Sequence, residues 1–119
     1  MTNKRLGNLF ERELCGILAQ EGYWVHFIVP DARGAQPFDI IAVKNGMALA
    51  IDCKTCVANS FNISRLEDNQ IMAFDRWQKC GNIEPIIAIK HNDQIYKIGY
   101  TELKERKSIK LTGEYIWDF

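Results

Sequence analysis

Apolar residues recur at helical spacing near the start of the chain, with Leu6, Phe10, Leu14, Ile17 and Leu18 sharing one stripe. This pattern predicts a helix from about Asn3 to Glu21, stopped at Gly22. The period then changes: Tyr23 to Val29 is rich in aromatic and β-branched residues and reads as a strand. Residues 30–37 carry Pro30, Gly34 and Pro37 and read as a loop. Phe38 to Val43 is a second strand. Asn45-Gly46 is a tight-hairpin signal, and Met47 to Thr55 is the antiparallel partner, apolar enough for the middle of a sheet. Ala58 to Asn62 is polar. Ser64 followed by Glu67 is a capping-box pattern that opens a second helix, running to about Lys79 and closed by Gly81. The apolar stripe of that helix holds Leu66, Gln70, Ala73, Phe74 and Trp77, so one amide lies among apolar neighbours. Pro85 to Lys90 and Gln94 to Ile98 are two more strands, separated by His91-Asn92-Asp93, and the tail offers a short basic helix or turn and then an edge strand at Glu114 to Trp117. The order helix, three strands, helix, two strands predicts an α/β fold in one domain over residues 1–119, a central mixed β-sheet flanked by helices on both faces.

Composition narrows the class only a little. Of 119 residues, 47% are apolar and 25% charged, the mix of a globular chain with room for one core. No apolar run nears the roughly 20 residues of a membrane helix, and the first residues lack the apolar core of a signal peptide. A cytoplasmic protein with no membrane partner is therefore expected, whether cellular or carried by a phage or prophage. Its four cysteines, Cys15, Cys53, Cys56 and Cys80, are expected to be reduced. The net charge is zero, which argues mildly against nucleic acid, because duplex binding leans on Lys and Arg contacts to phosphate. The basic residues are clustered, however, with Lys4, Arg5 and Arg12 near one end and Lys104, Arg106, Lys107 and Lys110 near the other. A carboxylate-rich site would also regain positive charge from any bound divalent cation.

Chemistry concentrates in Pro37-Phe38-Asp39-Ile40-Ile41-Ala42 and, after the hairpin, Ala50-Ile51-Asp52-Cys53-Lys54. Alternation along a strand sends Asp52 and Lys54 to one face, with Asp39 on the neighbouring hairpin strand. Two converging carboxylates repel unless a hard cation lies between them, and Mg²⁺ or Mn²⁺ takes such oxygen ligands. A neighbouring ammonium can orient water and stabilise charge on an attacked phosphate. An Asp-x-Lys alone is ordinarily a solvent-facing pair. Here it is embedded between Ala48-Leu49-Ala50-Ile51 and Cys56-Val57, where unpaired charge is expensive.

Other constellations fail. Cys53 and Cys56 form a Cys-x-x-Cys, but on an extended strand they point to opposite faces and cannot chelate one ion without a bend. No second Cys pair exists, His26 and His91 are scattered, and the motif does not open a helix as a redox pair would. No Ser-His-Asp spacing or phosphate-cradling Gly loop is visible. The aromatic residues Trp24, Phe27, Phe38, Phe61, Phe74 and Trp77 are mostly core by position; Phe61, in the polar stretch, has the alternative of touching DNA or a partner.

The segment Leu6-Gly7-Asn8-Leu9-Phe10-Glu11-Arg12-Glu13-Leu14 resembles the opening helix of the archaeal Holliday junction resolvases, nucleases of the PD-(D/E)xK superfamily. As in that family, a Gly and a strand follow, then a loop carrying Arg33 and Gly34, then the Asp39 segment, then the acid-x-Lys strand. The resemblance covers roughly residues 4 to 90. It departs in two places: the family's adjacent Pro-Asp is split by Phe38, and its second acid, usually Glu, is Asp52. The resemblance implies a restriction-endonuclease-like core. It also implies catalytic roles for Glu11, Asp39, Asp52 and Lys54, with Mg²⁺ or Mn²⁺ held by Glu11, Asp39, Asp52 and the Cys53 carbonyl, and Lys54 positioning or activating water. Glu11 rests on the resemblance alone, since periodicity leaves Glu11 and Glu13 both open. Many nucleases of the superfamily carry a Gln on the helix after the acid-x-Lys strand, so Gln70 has a site role to set beside that of a core amide bonded to backbone. Lys4, Arg5, Arg12 and Arg33 are the candidate DNA contacts, with plain surface charge the alternative. The implied activity is structure-selective cleavage of branched DNA, a four-way junction above all, by a homodimer matching the near two-fold symmetry of that substrate. The alternatives are another nuclease on this fold, of phage replication-repair or restriction-like type, and a non-catalytic DNA-binding module.

Overall fold

The computed structural model describes residues 3–29 and 36–119, and the side chains of 9–29 and 36–119. Its elements in chain order are α1 (Asn3–Gln20), β1 (Trp24–Phe27), β2 (Ile40–Lys44), β3 (Met47–Thr55), β4 (Ser60–Asn62), α2 (Asp68–Lys79), β5 (Ile86–His91), β6 (Gln94–Gly99), α3 (Tyr100–Arg106) and β7 (Ser108–Lys110). Five strands form one sheet in the order β1-β2-β3-β5-β6. The β2–β3 turn is the expected tight hairpin, with Asn45 and Gly46 both at positive φ (53° and 77°), the conformation that an Asn-Gly pair adopts at least cost. β3 runs parallel to β5, and every other neighbouring pair in the sheet is antiparallel. The crossover that a parallel pair requires contains α2.

Alternation along β3 divides the core in two. Ile51 and Cys53 face α1, where Phe10, Leu14 and Leu18 pack with Ile40, Ala42 and Ala88. Ala50 faces α2, where Phe74 packs with Phe38, Ile87, Ile89, Ile98 and Tyr100. Each helix thus covers one face of the sheet, and Asp52, buried on β3 between residues of the α1 face, shares the α2 side with Lys54.

Five local expectations are corrected. Trp24 is not in the core: it lies on β1 at the edge of the sheet with its side chain exposed. Asp39 is not on a strand; β2 begins one residue later, at Ile40. Ser64 does not cap the second helix: its N–H donates to Asn62 Oδ1 (2.8 Å) in a one-turn 3₁₀ segment over Ile63–Arg65. The α-helix starts at Asp68 with Glu67 as N-cap, because Glu67 and Gln70 form a second capping pattern that overlaps the first. The polar stretch contains β4, which pairs with β7, and Phe61 on β4 is fully buried, so it is neither a DNA nor a partner contact. The expected edge strand at the C-terminus is a 3₁₀ turn at Gly113–Tyr115 followed by a single bridge from Ile116 to Tyr96. Cys53 and Cys56 lie in opposite cores and all four cysteines are free. Among the described residues no helix is long and apolar enough to cross a membrane.

Candidate active site

Asp39 is placed by main chain. Its N–H donates to Ile51 O (3.0 Å) and its carbonyl accepts from Ile28 N (2.9 Å). One step further along, the Cys53 N–H donates to the Asp39 side chain, 2.7 Å from Oδ2. The carboxylate therefore stands where a strand carbonyl would have continued the ladder. In an extended strand the N–H and C=O of one residue point to the same edge, so the Cys53 carbonyl also faces the end of β2. The Cys53 thiol points instead into the α1 core. Burial, with the charges of Asp39 and Asp52 next, pushes that thiol well above its ordinary range. It packs as a neutral group.

Asp52 and Lys54 project together toward α2. The Lys54 ammonium lies 3.1 Å from Asp52 Oδ2 and donates to Gln70 Oε1 (3.3 Å). Gln70 Nε2 donates to Asp52 Oδ1 (2.7 Å), and its Oε1 also accepts from the Glu67 N–H (3.0 Å). Gln70 is thus both a backbone-bonded amide and a member of the cluster. Asp52 Oδ2 is paired with the Lys54 ammonium and, among the described residues, has no other donor. Burial raises the Asp52 pKa, with Lys54 opposing and Asp39 adding to the rise.

The helix carboxylate is Glu11. It is 9% exposed, and its pKa is pushed up to about 7 by burial first and then by Asp39. Glu13 instead pairs with Lys90 at the surface (2.9 Å). Among the described residues the cluster therefore sets three buried acids, Glu11, Asp39 and Asp52, against the single ammonium of Lys54. Among the described residues no three such ligands are already converged on a metal position: Asp52 Oδ1 is turned to Gln70 and Asp39 Oδ2 to Cys53 N. The donor set nevertheless fits a hard cation, since it is all oxygen, short of positive charge among the described residues, and leaves Asp52 Oδ2 with no partner there but the Lys54 ammonium.

A stability test follows from Glu11. Its folded-state pKa, about 7 against 4.5, means that it favours the folded state below about pH 4.5, and that this contribution is lost as pH rises through 7. Glu11→Gln should raise the melting temperature of the metal-free protein at pH 8, at a scale of roughly 4 °C per kcal/mol, and should give no gain below pH 4.5. Thermal melts in EDTA at both pH values measure this; equal shifts at the two would remove Glu11 from the buried cluster.

Arg12 is exposed, with its guanidinium 5.9 Å over the Phe27 ring, and its charge acts on Glu11. Lys4 and Arg5 lie in the first turns of α1 with side chains outside the described residues, and Arg33 is outside them altogether. Arg65 carries no local signature that marks it for the site. Its Nη2 donates to Thr55 O (2.9 Å) and its guanidinium covers Phe61 at 5.3 Å, which fixes an exposed cation beside the strand end that carries Lys54.

A sequence profile described as archaeal Holliday junction resolvase (Hjc) matches residues 2–115. The chain is 32% identical over 91 residues to the crossover junction endodeoxyribonuclease Hjc of Methanocaldococcus jannaschii, a match covering 76% of this chain and 63% of that protein. The match therefore spans less than two thirds of that relative's length. Over 113 residues it is 29% identical to the crossover junction endodeoxyribonuclease Hje of Sulfolobus acidocaldarius, covering 92% and 78% of the two. The fold is similar to the solved structure of Archaeoglobus fulgidus Hjc, a Holliday junction resolvase from an archaeal hyperthermophile, with a TM-score of 0.62 at 21% identity over 85% of this chain and 84% of that one. A nearly full-length profile match, on a fold that assembles Glu11, Asp39, Asp52 and Lys54 into one cluster, gives a single conclusion: the chain belongs to the archaeal Holliday junction resolvase family.

Proposed function

We propose that this protein is a metal-dependent endonuclease that hydrolyses phosphodiester bonds in branched DNA, with the four-way junction as its substrate. The observation that carries the reading is the charge imbalance of the cluster. Among the described residues three acids are buried around one ammonium, and that ammonium is the sole partner of Asp52 Oδ2. Such an arrangement is costly for a protein with no use for it, which disfavours a non-catalytic binding module. Glu11, Asp39, Asp52 and the Cys53 carbonyl would hold Mg²⁺ or Mn²⁺, which when bound supplies positive charge at the attacked phosphate. Lys54, held beside Asp52 and Gln70, would orient water and stabilise the charge developing on that phosphate. Arg12 and Arg65, with Lys4, Arg5 and Arg33, supply contacts to the DNA backbone, which position the duplex without reading its sequence. One such site per chain and a substrate that must be nicked on two strands favour a homodimer with two sites on one junction.

The test is incubation with labelled four-way junction, flap and linear duplex, with and without Mg²⁺, beside light scattering of the free protein. Paired nicks in the junction with Mg²⁺, and a dimer mass, are expected. Equal cutting of linear duplex would select the restriction-like alternative, tight junction binding with no cutting under any divalent metal would select the binding module, and a monomer at high concentration would remove the two-site arrangement.

A further inference from the structure

We infer that the backbone N–H of Glu67 is a positioning group for the active site: it fixes which end of the Gln70 amide faces Asp52 and which faces Lys54. The inference rests on the nuclease reading of the site. The two ends of a primary amide are nearly equal in shape and differ in polarity, so its orientation is set by its hydrogen-bond partners. A main-chain N–H can only donate, and Glu67 N lies 3.0 Å from Gln70 Oε1. With Oε1 held there, Nε2 is left to donate to Asp52 Oδ1 at 2.7 Å, and Oε1 offers its remaining lone pair to Lys54 Nζ at 3.3 Å.

Asp52 and Lys54 favour the same orientation while they are paired with each other. Both, however, are groups that must change partners in the proposed reaction, Asp52 toward a cation and Lys54 toward phosphate. The Glu67 N–H takes no part in that exchange, so it is the contact that holds the amide throughout. Gln70 occupies the third helical position of α2, where Gln or Glu ordinarily reaches back to the N-cap N–H. Here the same side chain does both jobs, and the start of α2 is thereby tied to the acid-x-Lys strand.

The backbone permits a clean deletion. Glu67 has φ −81° and ψ 158°, and Leu66 has φ −86° and ψ 137°, values that suit proline and the residue before it. Glu67→Pro removes the N–H, whereas Glu67→Ala removes the side chain and keeps the N–H. On four-way junction with Mg²⁺, Glu67→Ala should keep kcat within about twofold of the parent, while Glu67→Pro should lower it about tenfold or more with KM little changed, the scale of one lost positioning hydrogen bond. In metal-free protein labelled with ¹⁵N-glutamine, the side-chain NH₂ signals of Gln70, assigned from their loss in Gln70→Glu, should move in the proline variant and stay put in the alanine variant. If the proline variant does not fold, replacing the same peptide N–H by an ester oxygen deletes the donor without a ring and should give the same two results. Proline or ester variants with parental kcat and unmoved Gln70 signals would overturn the inference, as would an equal loss of kcat in Glu67→Ala, which would assign the effect to the side chain. If the parent itself cuts no branched DNA, the nuclease reading falls and the Gln70 signals alone decide whether this N–H sets the amide.

Discussion

Lys54→Ala should lower the rate of junction cleavage by about two orders of magnitude or more, on the order of 3 kcal/mol of transition-state stabilisation, while junction affinity changes little. Lys54 Nζ is held 3.1 Å from Asp52 Oδ2 and 3.3 Å from Gln70 Oε1, within a largely buried cluster. That location suits a charge acting on one phosphate. Affinity is summed over many backbone contacts from exposed Lys and Arg residues, and the loss of one inward-facing lysine barely alters that sum. Asp52→Asn should likewise abolish cleavage, with binding kept or improved because a negative charge near phosphate is gone. Cleavage and gel-shift assays on the same preparations separate the two quantities. Removing Lys54 also leaves Asp52 buried without its counter-charge, so a melting curve must accompany the assay to show that the variant is folded. A folded Lys54→Ala that cleaved at the parental rate would remove β3 from the chemistry.

The largest stability effect is expected at Phe74. Its ring is fully buried, stacked on Phe38 at 5.3 Å and 5°, and set edge-on to Tyr100 at 5.0 Å and 81°. Phe74→Ala removes both aromatic contacts and leaves a cavity that the sheet and α3 cannot fill, for a cost of about 3–5 kcal/mol. The damage should reach the site, because Phe38 immediately precedes Asp39 and loses the ring that seats it. Urea denaturation measures the cost, and a value under about 1 kcal/mol would mean that the aromatic stack is not what joins α2 to the sheet.

The parts of this molecule legible in its sequence are those with a local signature. The stripe of Phe10, Leu14 and Leu18, the Asn45-Gly46 turn and the alternation through Asp52 and Lys54 are each written within a few residues, and each reappears in the fold. The stripe of the second helix likewise put Gln70 beside Phe74 before its partners were known. What escaped depends on partners distant in the chain. Glu11 and Glu13 are alike by periodicity; only the position of Asp39 and the Lys90–Glu13 pair separate them. β4 and β7 are three residues each and have no meaning until they meet, which is why Phe61 was open to reading as exposed. Arg65 becomes a neighbour of the site only through Thr55 O. The misplaced helix start has a different cause: two capping patterns overlap, and the one whose Gln70 is also bonded to Asp52 and Lys54 is the one the fold uses.

Two of the contacts that hold the site in register come from main-chain N–H groups, Cys53 to the Asp39 carboxylate and Glu67 to the Gln70 amide. Among coded residues, only proline deletes such a donor. Genetic drift can therefore rewrite the side chain at position 67 within the limits of its capping role, and the side chain at position 53 within the limits of its core, while the spacing of the acids survives. The selective burden falls instead on the acceptors, residues 39 and 70, whose side chains no other part of the chain replaces. A lineage built this way can exchange most of its sequence and still inherit a working geometry, because much of that geometry is carried by the backbone rather than by the codons around it.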